Sequence, residues 1–211
     1  MTKSTTQITI PTEAFRRIAS PLDAEGKRTY FAAILAKDLS KDFEEWQEIN
    51  PRVPDMTSGV AKKISVSLEN EPENFFFKNR GLTLSVGLAV FDNAKNELHI
   101  ELSDKSIHGL IDGSHTYSAI METFGDLTEQ QKEDTNLNEA YVKFEILEGF
   151  TSKDEIDKIV SARNTSIYAE DKSMADLVES FDFIKETLKS EPYADRIAYS
   201  DAELKIGRAH V

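Results

Sequence analysis

The stretch from Ile107 to Phe124 constrains the fold most, because it combines strand, turn and helix patterns in immediate succession. Its apolar first part predicts a short buried strand. Asp112-Gly113 then predicts a tight turn, since Gly adopts positive φ without steric cost. Ser114 is a favourable helix N-cap and begins a segment with helical spacing. The apolar residues on one face of that predicted helix are Tyr117, Ile120, Met121 and Phe124.

Polar side chains crowd the start of this predicted helix. Free backbone N–H groups and the positive end of the helix dipole make such a junction a natural anion site. His115 is suited to general acid or base catalysis because an unperturbed His titrates near neutral pH. Asp112 is suited to orient His115 or to help bind a divalent cation such as Mg²⁺. One carboxylate and one His are too few to predict a metal site.

The candidate site residues at this junction are Asp112, Gly113, Ser114, His115 and Thr116. His115 and Asp112 are the catalytic candidates, and the other three are candidates for ligand binding. The alternative interpretation is ordinary turn and cap chemistry, with His115 merely exposed beside it.

Helical spacing of apolar residues appears in several other segments. It predicts helices over 12–20, 28–46 with an interruption near Ser40, 58–68, 152–160 and 174–188. Ser58 is a favourable cap for the third of these helices, and a capping box opens the fourth. An acidic, polar loop is expected after the central helix.

Strand patterns lie between these helices. A short edge strand is predicted at 7–10 and a strand entering a bend at Phe75–Phe77. Residues 82–102 alternate between apolar and polar side chains on both sides of a polar turn, which predicts a β-hairpin. A further strand is predicted at 141–147. Helices and strands mix without regular alternation, so we predict an α+β fold with one mixed sheet packed by helices.

Two further segments contribute candidate ligand-binding residues. Asn79 and Arg80 lie in the bend before the predicted hairpin, and Arg163 and Asn164 follow a predicted helix. An arginine beside a glycine is suited to grip phosphate or carboxylate, although it also solvates many loops. The alternative is a buried network in which the Asn and Asp side chains satisfy backbone groups.

Charge and composition restrict the possible partners. The net charge of −13 and the pI near 4.8 argue against a protein that coats nucleic acid in bulk. A local basic region is still possible, because Lys62 and Lys63 are adjacent and Lys78 is close to Arg80. The absence of cysteine, of a signal-peptide pattern and of any apolar run near the roughly 20 residues that span a bilayer favours a cytoplasmic protein without a membrane partner.

The last seven residues form an unusual run. Residues 205–211 can be encoded by a common sequencing-adapter read, so we expect them to be an artefact and assign no function to His210. The expected organisation is an N-terminal segment of helix and edge strand over 1–49 and a core domain over 50–190. Residues 191–204 would then begin a truncated C-terminal region.

Four blocks in a fixed order resemble the AIPR family, named for abortive infection and phage resistance. They are Asn50-Pro51-Arg52, Glu71–Thr83 with its aromatic run into Asn-Arg-Gly, Gly109–Thr116 with Asp-Gly-Ser-His-Thr, and Ser161–Ser166 with Ala-Arg-Asn-Thr. The third block is also similar to the DGQHR-type proteins linked to DNA modification. More distantly, it resembles the ParB/sulfiredoxin-like fold, in which a strand–turn–helix meets nucleotide or phosphate.

The resemblance implies a prokaryotic anti-phage defence protein with a ParB/sulfiredoxin-like core. It implies a nucleotide- or nucleic-acid-directed site, with possible phosphodiester hydrolysis by a nuclease or nucleotide hydrolase. The alternative is a sensor without chemistry of its own, which binds a nucleotide or phage ligand and signals through a missing C-terminal part or a partner defence protein. Neither the ligand nor the oligomeric state follows from the sequence.

Overall fold

A computed structural model describes residues 5–51, 53–133, 135, 137, 139–163 and 187. The chain divides into two compact units, Met1–Ser161 and Ala162–Val211. The strands are β1 (Thr6–Pro11), β2 (Ala14–Ile18), β3 (Arg28–Leu35), β4 (Leu82–Val86), β5 (Leu88–Asp92), β6 (Glu97–Leu102), β7 (Gly109–Asp112) and β8 (Tyr141–Glu148). The α-helices are α1 (Gly59–Asn70), α2 (Pro72–Lys78), α3 (Ser114–Phe124) and α4 (Glu129–Glu133). Residues 153–161 are also helical, and 3-10 helices span Asp23–Glu25, Ala36–Asp38 and Lys41–Trp46.

The strands form two sheets in the first unit. One has three antiparallel strands in the order β1-β6-β5, and the other has five strands in the order β2-β3-β8-β4-β7. The larger sheet is mixed because β4 runs parallel to β8 while its other pairs are antiparallel. The predicted α+β class is therefore confirmed.

The single predicted sheet is wrong, because the alternating run after Leu82 contains two strands. Val86, the last residue of β4, is paired with Glu148 in the larger sheet. Leu88, the first residue of β5, is paired with Glu101 in the smaller sheet. Gly87 lies between them. The hairpin therefore consists of β5 and β6 alone, and β4 is an interior strand of the other sheet, between β8 and β7.

The helices predicted at the N-terminus are wrong over residues 14–18 and 28–35, whereas the end of the second prediction coincides with the 3-10 helices Ala36–Asp38 and Lys41–Trp46 on either side of Ser40. Residues 14–18 form β2, and residues 28–35 form β3, which pairs with β2 on one side and with β8 on the other. In β3, Tyr30, Ala32 and Ile34 are buried, which is the period-two pattern of a strand. Residues four apart on a helix face also fit that spacing, so the local pattern was ambiguous and the pairing with β8 decides it.

The aromatic run Phe75–Phe77 belongs to helix α2 and not to a strand, as the sequence had suggested. Pro72 occupies the first turn of this helix, where its missing N–H costs no hydrogen bond. Phe75 is fully buried and Phe77 is exposed. A short helix, α4, replaces part of the expected acidic loop. The predicted helix over 174–188 lies outside the described residues apart from Thr187.

One continuous core takes side chains from both sheets and from α1, α2 and α3. Its largest fully buried members include Ile10, Ile34, Leu68, Phe75, Leu84, Ile100, Tyr117, Phe124 and Phe144. The predicted inner face of α3 is confirmed, since Tyr117, Ile120 and Phe124 are buried and Met121 packs against the core. Within the described residues, no helix has the length and apolar character needed to cross a bilayer.

Candidate functional site

Strand β7 and helix α3 are joined by a single left-handed residue. Gly113 has φ 94° and stands at the N-cap of α3, the position that the sequence had assigned to Ser114. The Gly113 N–H donates to the Asp112 carboxylate at 2.7 Å, which fixes the turn. The first helical hydrogen bond runs from the Tyr117 N–H to the Gly113 carbonyl at 2.9 Å. The amides of residues 114–116 therefore belong to the positive end of the helix dipole.

The first turn of α3 is bonded to the end of α2. The Asn79 side-chain Nδ2 donates to the Thr116 hydroxyl at 3.0 Å, and the Asn79 side-chain Oδ1 accepts from the Gly81 N–H at 2.7 Å. Both side chains are buried, with 7% and 4% of their surface exposed. Two segments that the sequence separates widely, Asn79–Gly81 and Asp112–Thr116, thus form one polar cluster.

Two glycines allow these segments to approach closely. A Cβ placed on Gly113 would lie 2.5 Å from the Gly81 carbonyl oxygen and 2.8 Å from Leu82 Cδ2. Gly81 itself has φ 91°, and a Cβ there would collide with the backbone of Lys143 in β8. The bend before β4 and the turn before α3 therefore touch backbone to backbone.

The loop before α1 completes the framework of the site. The Asn50 side-chain amide donates to the Ser114 hydroxyl at 2.8 Å, and the Asp55 N–H donates to His115 Nε2 at 3.2 Å. The imidazole nitrogen that faces the loop is therefore an acceptor, and its lone pair is in use. Hydrogen bonds from the Thr57 side chain and backbone hold the pKa of the Asp55 carboxyl below its usual value.

Sequence reasoning assigned no role to Asn50 or Asp55. Their partners lie far away along the chain, and no local pattern identifies such pairs. The occurrence of Asn50 in one of the blocks resembling the AIPR family was the available signal.

A groove of about 520 Å³ lies between α1 and α2. Its lining is largely apolar and carries Lys62 and Lys63 from α1, Lys78 from α2 and the acidic Glu71, and it reaches Asn79. The apolar residues are Val60, Ile64 and Val66. Lys78 is paired with Glu71. In the described part of the chain, Lys62 and Lys63 make no ion pair. The two basic pairs noted in the sequence thus contribute lysines to a single groove.

The remaining predicted residues have different surroundings. Arg80 is exposed and lies directly between Asn79 and Gly81. Arg163 belongs to the second unit, and Asn164 lies outside the described residues. Among the described residues, no group of three or more His, Asp or Glu side chains is placed to hold a metal ion.

These features define an α+β protein with a polar cluster at a strand–turn–helix junction, beside a lysine-bearing groove. A family model described as AIPR protein matches residues 48–207, a range that includes Asn50, Asn79 and the whole junction. The chain therefore belongs to the AIPR family. No curated protein and no solved structure matches it.

Proposed function

We propose that this protein acts in anti-phage defence by binding a phosphate-bearing ligand, a nucleotide or a nucleic acid. The defence role follows from AIPR membership. The binding face consists of the first turn of α3, the exposed Arg80 and the groove between α1 and α2. A relationship to the DGQHR-type and ParB/sulfiredoxin-like proteins, in which a similar junction meets phosphate, is part of the same proposal.

The observation that supports the proposal most strongly is the position of the groove between α1 and α2, which carries Lys62, Lys63 and Lys78 and which we call the lysine groove. Its lining includes Asn79, whose side chain is hydrogen-bonded to Thr116 in the first turn of α3. Positive side chains and the positive end of a helix dipole therefore lie on adjoining parts of one unit. In a chain of net charge −13, this local concentration of lysines favours an anionic ligand.

Binding is better supported than hydrolysis. A general base needs a free lone pair near the proton that it removes. His115 Nε2 accepts the Asp55 N–H, so that lone pair is not free, and Asp112 Oδ1 accepts the Gly113 N–H, so both catalytic candidates also hold the local backbone in place. In this role the protein is a sensor, and it signals through a partner defence protein or through a further part of its own chain.

Isothermal titration with ATP and with short oligonucleotides tests the proposal. A double variant, Lys62→Ala with Lys63→Ala, is expected to weaken binding at least tenfold at low salt. Added salt should weaken wild-type binding, because the attraction is largely electrostatic. The matched control is Lys153→Ala with Lys158→Ala, which removes two exposed lysines from the helix over 153–161 and should bind like the wild type.

Two results would contradict this function. The first is that neither ATP nor any oligonucleotide binds the wild-type protein. The second is turnover of either probe in the presence of Mg²⁺ or Mn²⁺ that His115→Ala abolishes, which would make the protein an enzyme and not a sensor.

A further inference from the structure

Helix α2 exposes an aromatic side chain that the core does not use. Phe77 has 80% of its surface exposed. Its ring meets the Phe76 ring at a centroid distance of 5.5 Å and an angle of 87°. Lys143 Nζ, from strand β8, lies 5.5 Å from the centroid of Phe76. Lys143, Phe76 and Phe77 thus form a continuous cation–aromatic row, which we call the aromatic row.

Positive charge adjoins the aromatic row. Lys78 follows Phe77 directly, and its side chain lines the groove that also holds Lys62 and Lys63. The bend after α2 packs its Gly81 against Lys143 of the row, and the exposed Arg80 directly precedes Gly81 in this bend. Glu71, which also lines the groove, pairs with Lys78.

An exposed aromatic ring among cations has a specific use in nucleic-acid recognition. Unpaired bases stack on aromatic side chains while Lys and Arg attract the phosphates. A duplex offers no free base faces along its length, so such a surface discriminates in favour of single strands. An acidic peptide would use the lysines and would gain little from a planar ring.

We propose that the aromatic row is a stacking platform for the bases of single-stranded nucleic acid, with Phe77 as the principal stacking residue. This inference rests on the proposed phosphate-binding function and names its ligand class. In this arrangement the phosphates of the strand lie toward Arg80 and the lysine groove.

Fluorescence anisotropy with labelled single-stranded DNA and RNA, and with the duplex of the same sequence, tests the platform. Phe77→Ala should weaken single-strand binding roughly tenfold, as expected for the loss of one stacked base. Phe77→Trp should retain binding, and its emission should be quenched by the strand while buried Trp46 gives a constant background. Phe31→Ala, which removes another exposed phenyl ring, from β3, serves as the matched control and should bind like the wild type.

The outcomes separate this inference from the function on which it rests. Equal affinity of Phe77→Ala and wild type, equal affinity for duplex and single strand, or full competition by polyglutamate would overturn the stacking platform. ATP binding that depends on Lys62 and Lys63 would leave the proposed function standing in each of these cases. Absence of binding to every probe would remove both. A fall in melting temperature of Phe77→Ala larger than the loss of its edge contact with Phe76 explains would show that Phe77 packs against further parts of the protein and would also contradict the inference.

Discussion

The side chains of Asn79 and Thr116 are hydrogen-bonded to each other although 37 positions separate them along the chain. This contact attaches the end of α2 to the first turn of α3. The same Asn79 also accepts the Gly81 N–H and so fixes the bend that carries Arg80. Asn79 thus fixes the first turn of α3 and the bend that carries Arg80, two parts of the proposed binding face, relative to each other.

Asn79→Ala is therefore expected to destabilise the protein. The substitution leaves the buried Thr116 hydroxyl and the Gly81 N–H without their partner, and each unsatisfied buried group costs roughly 1–3 kcal/mol. We expect the free energy of unfolding to fall by about 2–3 kcal/mol in urea titrations. Asn74→Ala, at an exposed position whose side-chain amide donates to the neighbouring Glu73 carboxylate, is the control and should change stability by less than about 0.5 kcal/mol. Unchanged stability of Asn79→Ala together with lost ligand binding would make Asn79 a direct ligand contact.

The sequence predicted those features that depend on short-range chemistry. The turn at Gly113 and the Ser58 cap of α1, which accepts the Ala61 N–H at 3.2 Å, follow from residue types and their spacing. The prediction from sequence failed at β3, because the spacing of Tyr30 and Ile34 fits a helix face and a strand face equally well. It failed at α2, because a run of three Phe carries no period of its own and only the burial of Phe75 orients it.

The candidate site also combines features that short-range chemistry predicts with features that depend on packing. The residues of the β7–α3 junction lie together because they are neighbours in sequence. The contact of Asn79 with Thr116 and the gathering of Lys62, Lys63 and Lys78 in one groove depend on how helices pack. The blocks that resemble the AIPR family suggested that Asn79–Gly81 and Asp112–Thr116 lie near each other, since a shared order of motifs often reflects a shared site. No local pattern pointed to Asp55 as the partner of His115.

Gly113→Ala tests the backbone contact between the two segments. A non-glycine residue at φ 94° is strained, and its Cβ would lie 2.5 Å from the Gly81 carbonyl oxygen. We expect the free energy of unfolding to fall by about 3 kcal/mol or more, because strain and overlap act together. Gly26→Ala separates the two effects, since Gly26 has φ 81° but nothing within 4 Å of its Cβ position, and it should cost only about 1 kcal/mol. Equal losses in the two variants would show that the Gly81 contact adds nothing.

Glu148→Ala tests the connection between the two sheets. Its carboxylate pairs with Arg28 at 2.7 Å and accepts the Ala89 N–H of β5 at 2.9 Å, and only 4% of the residue is exposed. Removing it leaves a buried amide and an arginine without these partners. Because Arg28 is partly exposed and screened by solvent, we expect a loss of about 2 kcal/mol, below that of a fully buried pair.

The control for Glu148 is Glu25→Ala. Glu25 makes an exposed ion pair with Lys27 at 3.4 Å, so its removal should change the free energy of unfolding by less than about 0.5 kcal/mol. Chemical denaturation of both variants at one pH provides the comparison. If Glu148→Ala is no more destabilising than Glu25→Ala, the two sheets are held together by apolar packing alone.

Tyr117→Phe tests the buried hydroxyl under α3 and predicts a pH dependence. The Tyr117 hydroxyl donates to the Lys41 carbonyl at 3.0 Å, and burial raises the pKa of Tyr117 well above its ordinary value, with Glu44 adding to the effect. At neutral pH the variant should lose about 1 kcal/mol, because the Lys41 carbonyl loses its donor. A tyrosine whose folded pKa is raised contributes stability fully below the unfolded pKa of about 10 and loses it as pH rises through the folded pKa. Wild-type stability should therefore fall more steeply than that of Tyr117→Phe above about pH 10.

Urea unfolding of both proteins at pH 7, 9, 10 and 11 measures this difference. Tyr30 and Tyr141, whose pKa values are also raised by burial, are present in both proteins, so their titration cancels when the two curves are subtracted. The gap between wild type and Tyr117→Phe should narrow as the pH rises, since the unfolded wild-type chain gains a phenolate that the folded chain excludes. Parallel curves would mean that the folded protein accommodates the Tyr117 phenolate, and that the hydroxyl is not held between α3 and the 3-10 helix Lys41–Trp46.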